Sequence, residues 1–204
     1  MNNCNYDMLM EKTLESLKKQ SQMKKLLLHA CCAPCATACI ERVKDSFDVT
    51  VYFFNPNMDT KEEYVHRAKE LKRLCAEFKV NCIVEEYDSA EFYSVVKGLE
   101  NQPEGGSRCA KCFELRLRKT AEYAEQNGYD YFATTLSVSP LKNAHTLNMI
   151  GLQIEKEQKV HYLPSDFKKR NGYMRTIELS REYELYRQNY CGCVFSKRKT
   201  DAEQ

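Results

Sequence analysis

Six cysteines occur in three short groups that lie far apart in the sequence. The groups are an adjacent pair, a C-x-x-C pair and a C-x-C pair, namely Cys31 with Cys32, Cys109 with Cys112, and Cys191 with Cys193. Thiolates bind soft transition metals and iron–sulfur clusters, and paired thiols also carry electrons as dithiols and disulfides. This pattern predicts an enzyme whose metal or redox chemistry resides on cysteines.

The whole chain contains 11 cysteines, so a secreted disulfide framework must be weighed against an intracellular metal or redox site. The N-terminal residues lack the apolar core of a signal peptide, and no uncharged apolar run approaches membrane-spanning length. We therefore expect a cytoplasmic protein without a membrane partner. In a reducing compartment, clustered cysteines are more often metal ligands or catalytic thiols than structural bridges.

The length and charge of the chain narrow the classes further. A chain of 204 residues can form one α/β domain that buries roughly 70 % of its unfolded surface, so disulfides are not needed for folding. Lys and Arg total 31 against 29 for Asp and Glu, so the overall charge gives no argument for nucleic-acid binding. Any basic patch must be local.

Short apolar runs alternate with longer amphipathic segments, which is typical of a mostly parallel sheet flanked by helices. The predicted strands cover residues 24–30, 48–54, 81–86, 130–134 and 159–163. The predicted helices cover residues 60–78, 112–126, 141–157 and 176–188, the last ending just before the C-x-C pair. We predict a single α/β domain over residues 24–198, with an N-terminal extension at 1–23 and a C-terminal tail at 199–204.

The adjacent pair Cys31 and Cys32 follows the first predicted strand, where ligands usually bind in open α/β sheets. Pro34 is suited to the first turn of a helix, and helix N-termini favour thiolates. Successive strand residues point to opposite faces, so the backbone must bend for both sulfurs to converge. For either cysteine alone, the alternative is a small buried hydrophobic residue.

The other two groups each allow more than one interpretation. Cys109 and Cys112 follow a flexible loop at residues 103–107 and fit a cluster edge, a redox dithiol or a structural zinc site. Gly192 permits unusual backbone angles between Cys191 and Cys193, which suits a strained and easily reduced disulfide that delivers electrons. The alternative is that these two cysteines are further ligands of a zinc or iron site.

Several polar residues near the predicted strand ends are weaker candidates for the site. They are His29, Asn55, Pro56, Asn57, Glu63 and Tyr64. Asn-Pro-Asn favours a turn for local reasons, and the two helix residues have surface roles as their alternative to positioning substrate or donating protons. The histidine either tunes the cysteines or is a buried imidazole with satisfied hydrogen bonds.

The sequence also contains two basic segments and four cysteines outside the three groups. Residues 165–173 and 196–199 combine basic side chains with aromatic or site residues and are candidates for contacting nucleic-acid phosphates, with a solvated surface as the alternative. Cys4, Cys39, Cys75 and Cys82 stand outside the three groups. The spacing of the last three predicts packing roles.

Taken in order, several segments resemble the epoxyqueuosine reductases of the QueH type. The segments are LLLHACCAPC, FFNPNMDTKEEY, SRCAKCFELRLRKTAEYA, FATTLSVSPLKN and YCGCVFS. The likeness covers the chain except for the first 23 residues and the last few. It implies an iron–sulfur enzyme with a [4Fe-4S] cluster, which performs the last step of queuosine biosynthesis by reducing epoxyqueuosine to queuosine in tRNA. Oxygen leaves as water after two electrons arrive.

The resemblance also implies roles for particular cysteines. The implied ligands of the cluster are Cys31, Cys32, Cys109 and Cys112, in agreement with Cys₄ ligation. Cys191 and Cys193 become the catalytic redox pair. The family further carries a second iron beside the cluster, held by cysteine and carboxylate ligands, and Cys35 or Cys191 would serve that ion.

Fold and partners follow from the same resemblance. The family is similar to nucleotide-binding α/β domains of the HUP and PP-loop ATP pyrophosphatase type. Those enzymes carry a Ser/Gly-rich phosphate loop after the first strand, whereas this chain has Cys-Cys-Ala-Pro-Cys there, so ATP hydrolysis is not expected. The implied partners are tRNA carrying epoxyqueuosine at the anticodon and an electron donor that the sequence does not identify.

Two other functions compete with the reductase. One is an RNA-binding module whose cysteines hold structural zinc, and the other is a metal-free thiol-disulfide oxidoreductase. Six grouped cysteines exceed the four ligands that one zinc ion takes, and the first group lies where α/β active sites form. The sequence therefore favours the reductase.

Overall fold

A five-stranded parallel sheet forms the centre of the computed structural model, which describes residues 4–197. The strands are β1 Lys24–His29, β2 Phe47–Phe53, β3 Asn81–Val84, β4 Tyr131–Thr134 and β5 His161–Tyr162. Their order across the sheet is β3-β2-β1-β4-β5, and every neighbouring pair is parallel. The predicted α/β class with a mostly parallel sheet is confirmed.

Helices cover the sheet and connect its strands. They are α1 Tyr6–Leu17, α2 Ala33–Val43, α3 Lys61–Glu77, α4 Ala90–Val96, α5 Ser107–Gln126, α6 Ala144–Glu155 and α7 Gly172–Glu182. Two short 3-10 helices occupy Thr135–Val138, directly after β4, and Val194–Ser196, near the end of the described chain. None of the helices described between residues 4 and 197 is long and apolar enough to cross a membrane.

The middle strand, β1, marks the point where the chain changes direction across the sheet. From β1 the chain proceeds outward through β2 and β3, and it then returns to form β4 on the other side of β1. In open α/β sheets, the crevice at such a switch point, beyond the carboxyl ends of the strands, is the usual place for a ligand. The segment after β1 contains the adjacent cysteines.

The two faces of the sheet build two apolar layers. Leu26 and Leu28 of β1 pack into a cluster with α1, α2 and α3, whereas Leu27 packs into a second cluster with α5 and α6. This division follows from the alternation of side chains along a strand. Because both faces are covered, β1 is apolar without interruption from Leu26 to Leu28, as expected for a buried parallel strand.

The predicted limits of two helices are wrong. The C-x-x-C helix begins at Ser107 rather than at residue 112, so both of its cysteines lie within the first turns of α5. The last predicted helix spans Gly172–Glu182 rather than residues 176–188, so it ends nine residues before Cys191. The C-x-C pair therefore sits on a non-helical segment.

The end of α7 has a clear physical cause. Glu184 adopts a left-handed backbone with φ 48°. The Leu185 amide then donates to the Ser180 carbonyl at 2.8 Å, and the Glu184 amide donates to that of Arg181 at 3.2 Å. This is the Schellman arrangement, which usually places glycine where this chain has Glu184.

The described part of the predicted N-terminal extension packs onto the domain. Met10 and Leu14 of α1 belong to the same apolar cluster as α2 and α3. Asp7 accepts hydrogen bonds from Arg42 of α2 at 2.8 Å and from Arg170 at 3.0 Å. Helix α1 is therefore attached to the core by apolar contacts and by ion pairs.

Candidate metal-thiolate centre

The turn between β1 and α2 brings three thiols together. Cys32 is the N-cap residue of α2, with extended backbone angles, and Pro34 lies in the first turn as predicted. The Cys31 thiol lies 3.7 Å from the sulfur of Cys32. The sulfur atoms of Cys31, Cys32 and Cys35 all lie within 4.8 Å of one another. The predicted bend after β1 is present, and it adds Cys35 to the adjacent pair.

Hydrogen bonds within this three-thiol group shift the pKa values of its members in opposite directions. Hydrogen bonds from Cys31 and Cys35 hold the pKa of Cys32 well below its ordinary value, although burial opposes this. The hydrogen bond with Cys32 raises the pKa of Cys31 to about 11, and contact with both neighbours raises the pKa of Cys35. A metal with an affinity for thiolates would displace the protons that these sulfurs share.

The other two cysteine groups line one small cavity. The residues that line it are Asn57, Phe92, Arg108, Cys109, Cys112, Phe113, Arg116, Lys142, Cys191 and Cys193. Burial raises the pKa of Cys112 to about 12 and also raises that of Cys193. Residues 109–112 and 191–193, which are far apart in sequence, thus share one cavity.

The C-x-C segment is held against the loop that follows β2. The Asp59 amide donates to the Gly192 carbonyl at 2.9 Å, and the Tyr190 hydroxyl donates to the Asp59 carboxylate at 3.1 Å. Arg67 of α3 donates from Nη1 to the Cys191 carbonyl at 3.4 Å. Gly192 has φ 108°, a backbone conformation that a side chain would strain. The tight turn at Gly192 presents the two thiols to the cavity.

Buried cations surround the cysteines, and the sequence patterns did not reveal them. Arg67, Arg108, Arg116 and Lys142 are each less than a tenth exposed. Arg67 pairs with Glu63 at 2.6 Å, and Arg108 donates to the carbonyl of Glu100 at 2.7 Å. Arginines on amphipathic helices normally occupy the solvent face, so spacing alone carried no signal of this environment.

Lys142 places an ammonium group in the cavity wall. Its Nζ lies 3.1 Å from the Glu104 carboxylate and is also in contact with Cys191. Burial disfavours the charged form, but Cys191 and Glu104 outweigh burial, so the pKa of Lys142 lies above its ordinary value. Lys142 therefore places a positive charge beside the thiols at neutral pH.

The weaker candidates after β1 and β2 have distinct environments. Asn55 donates to the Ala30 carbonyl at 2.9 Å and accepts from Arg116 at 3.4 Å, so it links the first cysteine turn to α5. Asn57 lines the cavity, and its buried Oδ1 has no hydrogen-bond partner in the described part of the chain. Burial and Arg116 lower the pKa of His29 to about 3, so this imidazole is neutral.

Glu63 and Tyr64 support the site without lining the cavity. Glu63 is the ion-pair partner of Arg67, and it thereby positions the guanidinium that reaches Cys191. The Tyr64 hydroxyl donates to the carbonyl of Glu85 at 2.8 Å. The predicted helix-surface alternative is wrong for Tyr64, which is buried.

The remaining cysteines and the first basic segment do not line the cavity, whereas Ser196 of the second segment donates a hydrogen bond to the carbonyl of the cavity residue Cys193 at 2.9 Å. Cys39 and Cys75 are buried in the apolar core as predicted, whereas Cys82 is only partly buried against it. In the first basic segment, Lys168 pairs with Asp166 at 2.8 Å. The second segment is described only to residue 197, so its positions 198 and 199 lie outside the described residues.

The residues present fit a metal-thiolate group. Three sulfurs within 4.8 Å are a donor set for a soft metal, and four more cysteines line the adjacent cavity. A four-iron cluster spreads its ligands over a cube and therefore needs sulfurs farther apart than a single ion does. Seven thiols in two neighbouring sets exceed what one tetrahedral zinc requires.

Known proteins resemble the chain both in sequence and in fold. The family model described as epoxyqueuosine reductase QueH matches residues 26–199. The epoxyqueuosine reductase QueH of Streptococcus pyogenes serotype M1 is 44% identical over 198 residues, which cover 94% of this chain and 78% of the relative. The Thermotoga maritima protein of the same name is 37% identical over 177 residues, which cover 85% of this chain and 91% of the relative.

Solved structures with little sequence similarity share the fold alone. The U34-tRNA thiolase NcsA from Methanococcus maripaludis, solved with its [4Fe-4S] cluster, has a TM-score of 0.54 at 11% identity, covering 96% of this chain and 69% of its own. NMN synthetase from Francisella tularensis has a TM-score of 0.51 at 11% identity. The match covers 98% of this chain and 81% of the synthetase chain. These likenesses agree with the predicted α/β fold. On the family match and the identities to its relatives, this chain belongs to the epoxyqueuosine reductase QueH family.

Proposed function

We propose that this chain is an iron–sulfur oxidoreductase that reduces epoxyqueuosine to queuosine in tRNA. The observation that carries the proposal is the convergence of cysteines from three separated segments at the carboxyl end of a parallel sheet. Family membership supplies the substrate, because the relatives bear the name of this activity. The arrangement supplies thiols for a metal group beside a cavity with buried cations.

The proposed cofactor is a [4Fe-4S] cluster held by four cysteines, namely Cys31, Cys32, Cys109 and Cys112. When bound, the cluster supplies single electrons and a Lewis-acidic iron. In support of this choice, two of these cysteines belong to the three-thiol group and two line the cavity. An additional iron ion would take Cys35 or Cys191, which are the neighbouring sulfurs in each set.

Cys191 and Cys193 are the proposed source of the electron pair. Reduction of an epoxide to an alkene consumes two electrons and two protons and releases one water molecule. Oxidation of two thiols to one disulfide yields two electrons and two protons, so the reaction balances. An external reductant of the dithiol or low-potential type then returns the disulfide to two thiols.

Lys142 is the proposed hydrogen-bond donor to the epoxide oxygen. Negative charge develops on this oxygen as the first C–O bond breaks, and a cation held at a fixed position beside it stabilises that charge. Nζ of Lys142 lines the same cavity as the two thiols and keeps its proton because of Glu104 and Cys191. Glu104 holds the ammonium group in place.

The test of this function uses a bacterial strain that lacks its own epoxyqueuosine reductase and accumulates epoxyqueuosine in tRNA. Expression of the chain should convert the tRNA nucleoside to queuosine, as measured by chromatography and mass spectrometry. A Cys32→Ala variant expressed to the same level serves as the inactive control. Persistence of epoxyqueuosine with well-expressed wild-type protein would reject the function.

A separate measurement distinguishes the reductase from the two competing interpretations. Protein purified without oxygen should contain iron and acid-labile sulfide and should be brown. A colourless protein with zinc in place of iron would support a binding module. A protein with neither metal would support a thiol-disulfide oxidoreductase.

A further inference from the structure

Arg116 is a fully buried cation that has no ion-pair partner among residues 4–197. Its side chain is 0% exposed, one helical turn after Cys112 on α5. Nε donates to the Cys112 carbonyl at 3.2 Å, and Nη1 donates to Asn55 at 3.4 Å. Nη2 is buried and has no acceptor in the described part of the chain. Each contact of the guanidinium is thus to a neutral group.

The two other buried arginines near the site are compensated differently. The guanidinium of Arg67 forms an ion pair with Glu63. The guanidinium of Arg108 donates to three backbone carbonyls at residues 99, 100 and 102. Among the ion pairs of residues 4–197, none involves Arg116. An unpaired buried charge is strongly destabilising, so Arg116 requires an anion.

The groups that surround Arg116 are sulfurs. Its electrostatic neighbours are Cys112, Cys191, Cys31 and Cys193, which come from all three cysteine groups. It lines the cavity together with three of these four. Protonated thiols carry no charge, whereas thiolates bound to a cluster form a net anion. The missing counter-charge is therefore present only when the site is loaded.

We propose that Arg116 is the charge partner of the iron–sulfur centre, supplying the positive charge and free N–H that stabilise the loaded, anionic site. This proposal rests on the proposed cofactor and deepens it. It assigns Arg116 a positioning role rather than a catalytic one. Positive charge favours the more negative, reduced state of a cluster, so Arg116 also raises the reduction potential.

Two consequences of opposite sign distinguish this role from a general structural one. Replacing Arg116 by Met removes an unpaired buried charge from the metal-free protein, so its melting temperature should stay the same or rise. The same replacement should weaken retention of the cluster about 10- to 100-fold, the usual effect of removing a partner just outside the ligand shell. If Arg116 were needed only for packing, its replacement would lower both the melting temperature of the metal-free protein and the retention of the cluster.

The experiment compares wild type with Arg116→Met, Arg116→Gln and Arg116→Lys, each prepared metal-free and then reconstituted with iron and sulfide. The measurements are thermal unfolding before loading, the rate of iron loss to a chelator, and the midpoint potential from a redox titration followed by electron paramagnetic resonance. Arg116→Lys should restore part of the retention and potential. Arg118→Gln, two residues along the same helix and only partly buried, is the matched control.

The outcomes separate this proposal from the proposed function. Faster iron loss and a more negative potential in the Met and Gln variants, with undiminished metal-free stability, would support it. Equal iron loss and equal potential in all variants would overturn it while leaving the cofactor intact. Loss of metal-free stability in Arg116→Met would overturn it as well. Wild-type protein that takes up no iron would overturn both the cofactor and this proposal.

Discussion

Nζ of Lys142 and Oε1 of Glu104 lie 3.1 Å apart at the wall of the cavity that contains Cys191 and Cys193. The lysine is buried while the glutamate is partly exposed, so the ion pair joins the cavity to its rim. This relationship fixes a cation at the point where we expect charge to develop during reduction of the epoxide. Its contribution can be measured in single-residue variants.

Lys142→Gln should lower kcat for epoxyqueuosine reduction about 10²- to 10³-fold, the effect of removing one donor to a developing oxyanion. Lys142→Arg should retain more activity because it keeps the charge. Steady-state kinetics with tRNA substrate measure the effect, with iron content verified for each variant. Lys111→Gln, an exposed lysine of α5, is the control. Wild-type kcat in Lys142→Gln would exclude Lys142 from the reaction.

Cys191→Ser and Cys193→Ser should each abolish turnover while the protein retains its iron, because a single thiol cannot form the intramolecular disulfide that releases two electrons. Turnover with a chemical reductant and iron content are measured on the same samples. Cys4→Ser removes an exposed cysteine outside the groups and serves as the control. Undiminished turnover in either variant would refute the redox pair, and loss of iron in Cys191→Ser would identify a ligand instead.

Gly192→Ala should reduce stability by about 1–3 kcal/mol, because φ at this position is 108° and a non-glycine residue is strained there. The added Cβ would also lie 3.3 Å from Nη1 of Arg67, which holds the Cys191 carbonyl. Gly192→Ala should therefore also lower epoxyqueuosine reduction by the molecules that remain folded. Gly98→Ala has a similar backbone strain at φ 80° but open space around it, and it should lower stability only. Equal activity in the two variants would contradict the proposed role of the turn.

Asp7→Asn should lower the free energy of unfolding by about 1.5–3 kcal/mol, the range for hydrogen bonds to charged groups, since it weakens the contacts of α1 with Arg42 and Arg170. Burial opposes ionisation of Asp7, but these arginines outweigh burial and hold its pKa below the ordinary value.

The stabilisation by Asp7 has a defined pH range. A carboxylate with a lowered folded-state pKa stabilises fully above its unfolded pKa of about 3.9 and loses that effect as pH falls below it. Denaturant unfolding at pH 7 and at acidic pH measures the difference between Asp7→Asn and wild type. The difference should shrink below about pH 4. Glu15→Gln on the exposed face of α1 is the control, and a difference that does not depend on pH would contradict the ion-pair account.

The strands and the first cysteine turn were predictable because local signals there agree with the fold. Continuous apolar runs such as Leu26 to Leu28 are typical of buried parallel strands, and Pro34 marks the first turn of a helix. The end of α7 was not predictable, because Glu184 occupies a left-handed position where glycine is the usual signal. The early start of α5 was hidden because Gly106 and Ser107 are typical of a loop.

The cysteines of the site were predictable from spacing, but the charges around them were not. Arg116 and Lys142 occur in segments whose patterns are those of ordinary amphipathic helix and loop. Only the tertiary packing of α5 against β1 and the loop after β2 buries Arg116 beside sulfurs from three segments. Such an environment depends on contacts that are distant in sequence, and no local pattern encodes it.

The most direct test of the account is turnover by purified protein, reconstituted with iron and sulfide without oxygen, on tRNA that contains epoxyqueuosine. Nucleosides from the digested tRNA are analysed by mass spectrometry before and after addition of a strong chemical reductant. The account predicts conversion of epoxyqueuosine to queuosine, with loss of one oxygen atom, by the loaded protein and not by the same protein stripped of iron. Retention of the oxygen by fully loaded protein, or equal conversion by the stripped protein, would contradict it.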